Sequence, residues 1–377
     1  MRFIGAILAM MLVLGAWPTG ASAAEGCAFV FGFAAMHDRL PGQVGDCTED
    51  ERHDVTNGDG LQQTTGGLLV WRKADNITAF TDGRQTWLVG PRGLQRRLNT
   101  ERFPWEANPE GLAIVATTST SGAILPGHRL VVYYGNQLVP AMGVLGEGAP
   151  EQMLARLKQQ ADAFAEADPT TPVQTALELV TVVAQAGAGA DGLYRARMSD
   201  ALIAEVAGWA ERTGSLMILD VQPGRSSVAS EVQALLPYLK QPNVHLGLDP
   251  EFAMASDQVP GEVYGSIDAT TINETVQTLS QLVAQEQIPP KLLIVHRFRE
   301  HMVTNSSRIQ SDPRVQVVMD IDGFGSPDMK LESYRTYIHD QPVQYAGVKL
   351  FYRQDKPLFT PKQVLGLDPV PIVVIYQ

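Results

Sequence analysis

The sequence predicts a (β/α)8 barrel of the TIM type, preceded by a small β-rich module. Three observations predict it. Eight short apolar runs recur through residues 126–377: Arg129–Tyr134, Val173–Val180, Leu216–Asp220, Val244–Asp249, Lys291–His296, Val315–Asp320, Tyr345–Phe351 and Pro371–Tyr376. Helical stretches alternate with them, the pattern of a parallel sheet built from strand–helix units. Most of the runs close on polar or ionisable residues, and barrel enzymes carry their chemistry at the C-terminal ends of the strands.

Taken in order, residues 1–23 have the form of a secretory signal. Arg2 supplies a positive start, Ile4 to Trp17 an apolar stretch, and Ala21-Ser22-Ala23 a small-residue cleavage site. The apolar stretch is short for a membrane anchor. A lipoprotein start at Cys27 is disfavoured, because Ala24-Glu25-Gly26 lacks the apolar residue expected three positions before it. An extracytoplasmic location follows.

Residues 24–106 are rich in Gly, Asn, Asp and aromatics and predict the β-rich module, with strands at Leu68–Trp71 and Thr86–Val89 and turns at Asn57–Gly60 and Asp82-Gly83. Cys27 and Cys47 are the sole cysteines. In an oxidising compartment, such a pair favours a disulfide closing a small loop. Residues 107–125 have the composition of a linker, with a closing strand at Leu112–Thr117 as the alternative.

The barrel occupies residues 126–377. Its covering helices are expected at Pro150–Ala167, Ser199–Arg212, Ser227–Leu239 and Thr271–Gln285, from apolar positions at helical spacing behind proline or serine starts. Shorter helices are expected at Lys330–Ile338 and Pro361–Leu365.

Strand side chains alternate between faces, so residues two apart share one. His245, Gly247, Asp249 and Glu251 therefore point one way and Leu246 and Leu248 the other, toward the helices. If the chain stays extended, Asp249 and Glu251 project together roughly 6–7 Å apart. The same parity groups Asp320 with Asp322 and Asp220 with Gln222. Glu178 sits within an apolar run, inside the barrel unless the register is shifted.

Carboxyl groups crowded in a water-poor pocket raise one another's pKa and yield a protonated acid beside an ionised base. Glycoside hydrolysis uses that combination. Glu251 is the expected acid, Asp249 orients it, and Asp320 or Asp322 faces it. Tyr134, Asn136, Glu178, Asp220, Gln222, His296, Lys349 and Tyr376 are the expected substrate-binding groups. This leading reading assigns no metal and no cofactor. A second chemistry uses the same residue types to hold a divalent metal, with Lys349 as base or stabiliser and with Mg²⁺, Mn²⁺ or Ca²⁺ fitting oxygen ligands better than Zn²⁺. A non-catalytic glycan- or envelope-binding barrel stands ahead of this metal reading as the first alternative.

A net charge of −12 argues against general nucleic-acid binding, which needs basic surface. A glycan or cell-wall polymer is the expected partner, with Trp71, Trp87 and Trp105 available for stacking on sugar rings. The oligomeric state is left open.

Two resemblances accompany these readings. Gly66–Asn76 with Phe80–Gly83, Thr86-Trp87 and Gly90-Pro91 resembles a short Trp/Gly-rich module of various bacterial secreted proteins. Leu248–Met254 and Met319–Gly325 are similar to stretches of uncharacterised secreted bacterial barrel proteins. The Asp-x-Glu on strand four with an aspartate on strand six also resembles the lysozyme-type muramidase barrels. That likeness implies peptidoglycan cleavage with Glu251 as the acid, although Tyr134-Gly135-Asn136 stands where that family carries an aspartate on strand one.

Overall fold

The computed structural model describes residues 27–53, 58–73, 76–90, 93–99, 101, 103, 122–310 and 312–377. The expected signal segment, most of the expected linker, Asn57 and Trp105 lie outside the described residues.

The small module opens with an α-helix, Phe31–Arg39, that its glycine-rich composition did not predict; Phe33 and Met36 bury its inner side. Cys27 and Cys47 form the expected disulfide. An antiparallel sheet of six strands follows, its spatial order that of the chain: Arg52–His53, Gly60–Gln63, Leu68–Arg72, Ile77–Thr81, Gln85–Gly90 and Gly93–Leu98. Trp87 is buried in the module, and Trp71 donates its Nε1–H to Asn76 Oδ1 at 2.9 Å. Stacking of Trp87 on sugars is therefore corrected, because that ring is already covered.

The barrel is closed and wholly parallel. Its strands are, from first to eighth, Arg129–Gly135, Val173–Ala184, Leu216–Val221, Val244–Leu248, Lys291–Arg297, Val315–Ile321, Tyr345–Leu350 and Val373–Tyr376. Each pairs with the next, and the eighth returns to the first through Val373 beside Leu130 and Tyr376 beside Tyr133. The second strand outruns its expected end and folds back on Arg195–Arg197.

Alternation separates two apolar layers. Leu130, Val132, Ala176, Val180, Ile218, Leu292, Ile294, Val318, Val373 and Ile375 fill the barrel interior. Leu246, Leu248 and their counterparts pack outward against the helices. These helices are Pro150–Ala167, Asp200–Thr213, Val228–Leu239, Ala269–Glu286, Pro327–Tyr334 and Pro361–Val364. Their starts have the chemistry the sequence advertised: Ser227 Oγ accepts from Ser230 N, and Thr360 and Gln363 form a capping box. Between strands five and six the described chain makes no α-helix; it has short 3-10 turns at Glu300–Met302 and Ser306–Arg308 and a two-residue strand, Val303–Thr304, that pairs in parallel with Ile267–Asp268.

At the N-terminal end, the interior is stoppered by Leu125. Gln316 Oε1 accepts from the backbone of Ile124 and Leu125 at 3.1 and 3.2 Å, which satisfies polar groups that the stopper would otherwise bury unpaired. The opposite, C-terminal end is where the interior turns ionic.

Candidate metal centre at the C-terminal end of the barrel

The inward positions of the strand ends bring together Tyr134, Glu178, Asp220, His296, Asp320 and Lys349, all buried. Glu178 is inside the barrel, as one of its two sequence alternatives required. Gln222, Asp249 and Asp322, just beyond strands three, four and six, are buried beside them.

His296 is the hub. Its Nδ1 lies 2.9 Å from Asp320 Oδ2, and its Nε2 lies 3.2 Å from Glu178 Oε1 and 3.8 Å from Asp220 Oδ1. Asp320 therefore accepts from Nδ1–H and fixes the ring. Nε2 faces two carboxylates, either as a proton donor to Glu178 or as a lone pair. Burial, the largest effect, and Lys349 both disfavour the imidazolium; Glu178 and Asp320 outweigh them and hold its pKa well above the ordinary value.

Lys349 donates to Asp322 Oδ2 at 3.1 Å, and its Nζ stands 3.4 Å from the centre of the Tyr134 ring. Burial opposes its charge, but Asp322, Glu178, Asp249 and Asp320 together raise its pKa. Lys330 supports it from below, donating to the Lys349 carbonyl at 2.6 Å and pairing with Asp355 at 3.0 Å.

A neutral relay links the remaining acids. Tyr134 donates its hydroxyl to Asp220 Oδ2 at 3.3 Å. Gln222 Nε2 donates to Tyr134 Oη at 3.3 Å and to Asp249 Oδ2 at 3.2 Å, while its carbonyl accepts from Ala184 N. Gln222 thus has its amide orientation fixed, and the tyrosine proton is directed at Asp220.

The carboxyl groups exceed the bases. Glu178, Asp220, Asp249, Glu251, Asp320 and Asp322 are six; Lys349 and His296 are two. Burial, opposed by His296 and reinforced by Glu178, pushes Asp220 up to about 6. Burial, then Asp220 and Glu251, raises Asp249 well above the usual carboxylate range. Asp320 is raised by burial against the pull of His296. Burial and then Asp322 bring Glu251 up to about 7.

Four buried carboxylate oxygens have no hydrogen-bond partner in the protein: Glu178 Oε2, Asp220 Oδ1, Asp249 Oδ1 and Asp320 Oδ1. Such a group costs on the order of 1–3 kcal/mol, and more when charged. Two glycines make room for two of these oxygens and for the His296-bonded Glu178 Oε1. A Cβ on Gly247 would lie 2.7 Å from Asp220 Oδ1 and 2.9 Å from Glu178 Oε1; one on Gly347 would lie 2.9 Å from Asp320 Oδ1. Sequence reading placed Gly247 on the inner face but attached no role to it or to Gly347. The signal was a glycine at the inward, acid-facing position of an otherwise apolar strand.

Donor atoms of Glu178, Asp220 and His296 all lie within 4.8 Å of one another. Two carboxylates and an imidazole converging on one point form the donor set of a divalent cation. The glycan-hydrolase expectation, and the glycoside-hydrolase-like assignment with it, is corrected here. The acids expected to flank a glycosidic bond belong instead to one ionic cluster organised around His296, and its core is a metal-type triad.

Several individual expectations change with it. The fourth strand ends at Leu248, and Glu251 lies on the 3-10 turn Pro250–Phe252, so the extended spacing from Asp249 does not apply. Asn136 is not turned to the mouth: its amide donates to Val180 O and Met198 S, and its Oδ1 accepts from Leu138 N. Tyr376 faces outward, its hydroxyl accepting from Gln160 and its ring stacked on Tyr352 at 5.1 Å. A one-residue change of parity from Ile375 puts it on the helix side.

No protein-family model matches the chain, and no curated protein does. Neither the Trp/Gly-rich module nor the muramidase-like rim gains support from them. Among solved structures, a 5-methylcytosine deaminase from Klebsiella pneumoniae liganded with 5-fluorocytosine is similar at 12% identity, covering 80% of this chain and 71% of that one, with a TM-score of 0.29. A likeness at that level carries no argument about function.

Proposed function

We propose that this protein is a divalent-metal-dependent barrel enzyme whose cation is held by Glu178, Asp220 and His296. One observation carries the reading: three fully buried donors from strands two, three and five converge within 4.8 Å, and two of their oxygens are unpartnered. The glycine at position 247 keeps that space clear. Mixed oxygen and nitrogen donors suit Mn²⁺ or Mg²⁺, with Zn²⁺ drawn by the imidazole.

A cation bound there supplies Lewis-acid polarisation and an acidified water. The chain's own groups have defined tasks around it. Asp320 holds the His296 ring by its Nδ1–H, the outer contact that fixes a ligating histidine. Tyr134 orients Asp220 through its hydroxyl. Lys349, kept cationic by its acidic neighbours, is placed to stabilise negative charge developing on a substrate. Glu251, half-buried at the mouth and with a pKa near 7, is placed to take up or release a proton around neutral pH. The disulfide agrees with an exported enzyme working in an oxidising compartment.

Metal analysis of the purified protein, followed by calorimetric titration of the chelator-stripped protein with Mn²⁺, Mg²⁺, Ca²⁺ and Zn²⁺, tests the reading. The expected result is about one divalent ion per chain, lost in Asp220→Asn. Failure of all four ions to bind at millimolar concentration would overturn it and leave His296 as a buried imidazolium neutralising structural carboxylates.

A further inference from the structure

We infer that the mouth of this site recognises a substrate bearing a primary ammonium group on an apolar chain. The inference rests on the metal reading above. It begins with pairing. Asp320 is matched by His296 at 2.9 Å and Asp322 by Lys349 at 3.1 Å, and Glu178 and Asp220 belong to the cation. Among the described residues, Asp249 and Glu251 make no close ion pair, and Lys349 and His296 act on them only at longer range. Asp249 is only 2% exposed, and Gln222 occupies just its Oδ2; Oδ1 has no partner.

A second metal ion does not suit these two acids. Ligands bound at 2.3–2.6 Å stand no further apart than about 5 Å, and a stable site needs several of them. Among the described residues, Glu178, Asp220 and His296 form the one group of three or more donors that close. An ammonium is less demanding. With N–H···O distances of about 2.9 Å it bridges acceptors up to about 5.8 Å apart, and its three hydrogens accept a wide range of directions.

The surroundings supply the second half of the ligand. Phe298 follows strand five directly, and Phe324 stands beyond strand six after Asp322 and Gly323. Phe324 is 62% exposed and rests edge-on against Phe351 at 5.7 Å; Tyr264 rests edge-on against Phe298 at 5.3 Å. Exposed rings beside the ionic mouth provide apolar surface for the carbon chain of a ligand whose charged end lies at Asp249 and Glu251.

The test is calorimetry on the full chain, first with Mn²⁺ alone and then, on the Mn²⁺-loaded protein, with n-hexylamine and n-hexanol. The amine should bind at least about 10-fold more tightly than the alcohol, the value of a charge-assisted bond. Asp249→Asn, which keeps shape and loses charge, should erase that preference while the protein still takes up one equivalent of Mn²⁺. Equal affinity for amine and alcohol, or binding of neither, with Mn²⁺ bound normally would overturn the inference alone. A second equivalent of Mn²⁺ lost in Asp249→Asn would also overturn it. Absence of any Mn²⁺ binding would overturn the metal reading and this inference together.

Discussion

Glu231 and Glu178 are both completely buried glutamates close to the same end of the barrel, and they are treated in opposite ways. Glu231, in the first turn of the helix Val228–Leu239, has every need met. Arg195 Nε donates to it at 2.9 Å, Arg197 Nε at 2.6 Å and Arg197 Nη2 at 3.1 Å, with the Ser226 hydroxyl as a further donor. Burial would raise its pKa, but Arg197, Ser226 and Arg195 win and lower it. Asp191 balances the second guanidinium at 2.7 Å from Arg195. Glu178 has one hydrogen bond, to His296, and an oxygen with none. A buried charge whose lone pairs are all matched is part of the architecture, here pinning the Arg195–Arg197 strand to the helix. A buried carboxyl left unmatched at the C-terminal end of the barrel calls for an explanation, and the proposed cation supplies one.

The sharpest way to break this comparison is to neutralise both glutamates. Glu178→Gln should lower divalent-cation affinity at least about 100-fold, while the metal-free protein loses no stability, because the change relieves carboxylate repulsion. Glu231→Gln should do the reverse: about 1–3 kcal/mol of stability lost, because Arg197 loses its carboxylate and Arg195 keeps only Asp191, with cation affinity unchanged. Urea melts and calorimetry on both variants read the two effects; if Glu178→Gln unfolds the protein as Glu231→Gln does, the two clusters are alike and the comparison fails.

Gly247→Ala comes next. Its methyl would press on Asp220 Oδ1 and Glu178 Oε1, so cation affinity should fall at least about 10-fold and stability by about 1–3 kcal/mol. Asp320→Asn should lower cation affinity by about 10-fold by freeing the His296 ring, an effect smaller than loss of a ligand. An unchanged affinity in either would detach that residue from the centre.

The smallest effect is a pH slope. Glu251 titrates near 7 in the folded chain and near 4.3 unfolded, so the folded state binds more protons between these values. Its contribution to stability is therefore present below about 4.3 and lost as pH rises through 7. Glu231 has the opposite sign: its folded pKa is lowered, and its contribution is lost as pH falls below the unfolded value. Glu251→Gln should flatten the decline between pH 5 and 8 in chelated buffer and leave the acid limb in place. A wild-type profile without that decline would remove Glu251 from the set of perturbed groups.

Much of the centre was legible from parity and position. Glu178, Asp220, His296, Asp320 and Lys349 share the inward face of their strands, and periodicity of two exposes that in a linear sequence. Tyr376 is misplaced because one residue of register at a strand end decides between the mouth and the outer layer, and Asn136 because it lies past strand one, where the turn to Val139 and not strand parity aims its side chain. The helix Phe31–Arg39 was hidden by a composition averaged over the whole module. The Glu231 clamp was illegible because its partners, Arg195 and Arg197, come from a loop more than thirty residues earlier whose path no local pattern specifies.

By itself, then, the order of residues determined the closed barrel, its two-layered packing, the disulfide and the faces on which the charged side chains lie. These follow from short-range rules: alternation, caps and burial of apolar stripes. Only the tertiary structure decided which charges meet. It made His296 the centre, set two carboxylates against its Nε2, left four of the described carboxylate oxygens there unpaired and cleared the space of two of them with glycines from strands four and seven. Those are angles and distances between segments far apart in the chain, set by strand tilt and closure. They separate a fully paired acid, Glu231, from one with an unpaired oxygen, Glu178.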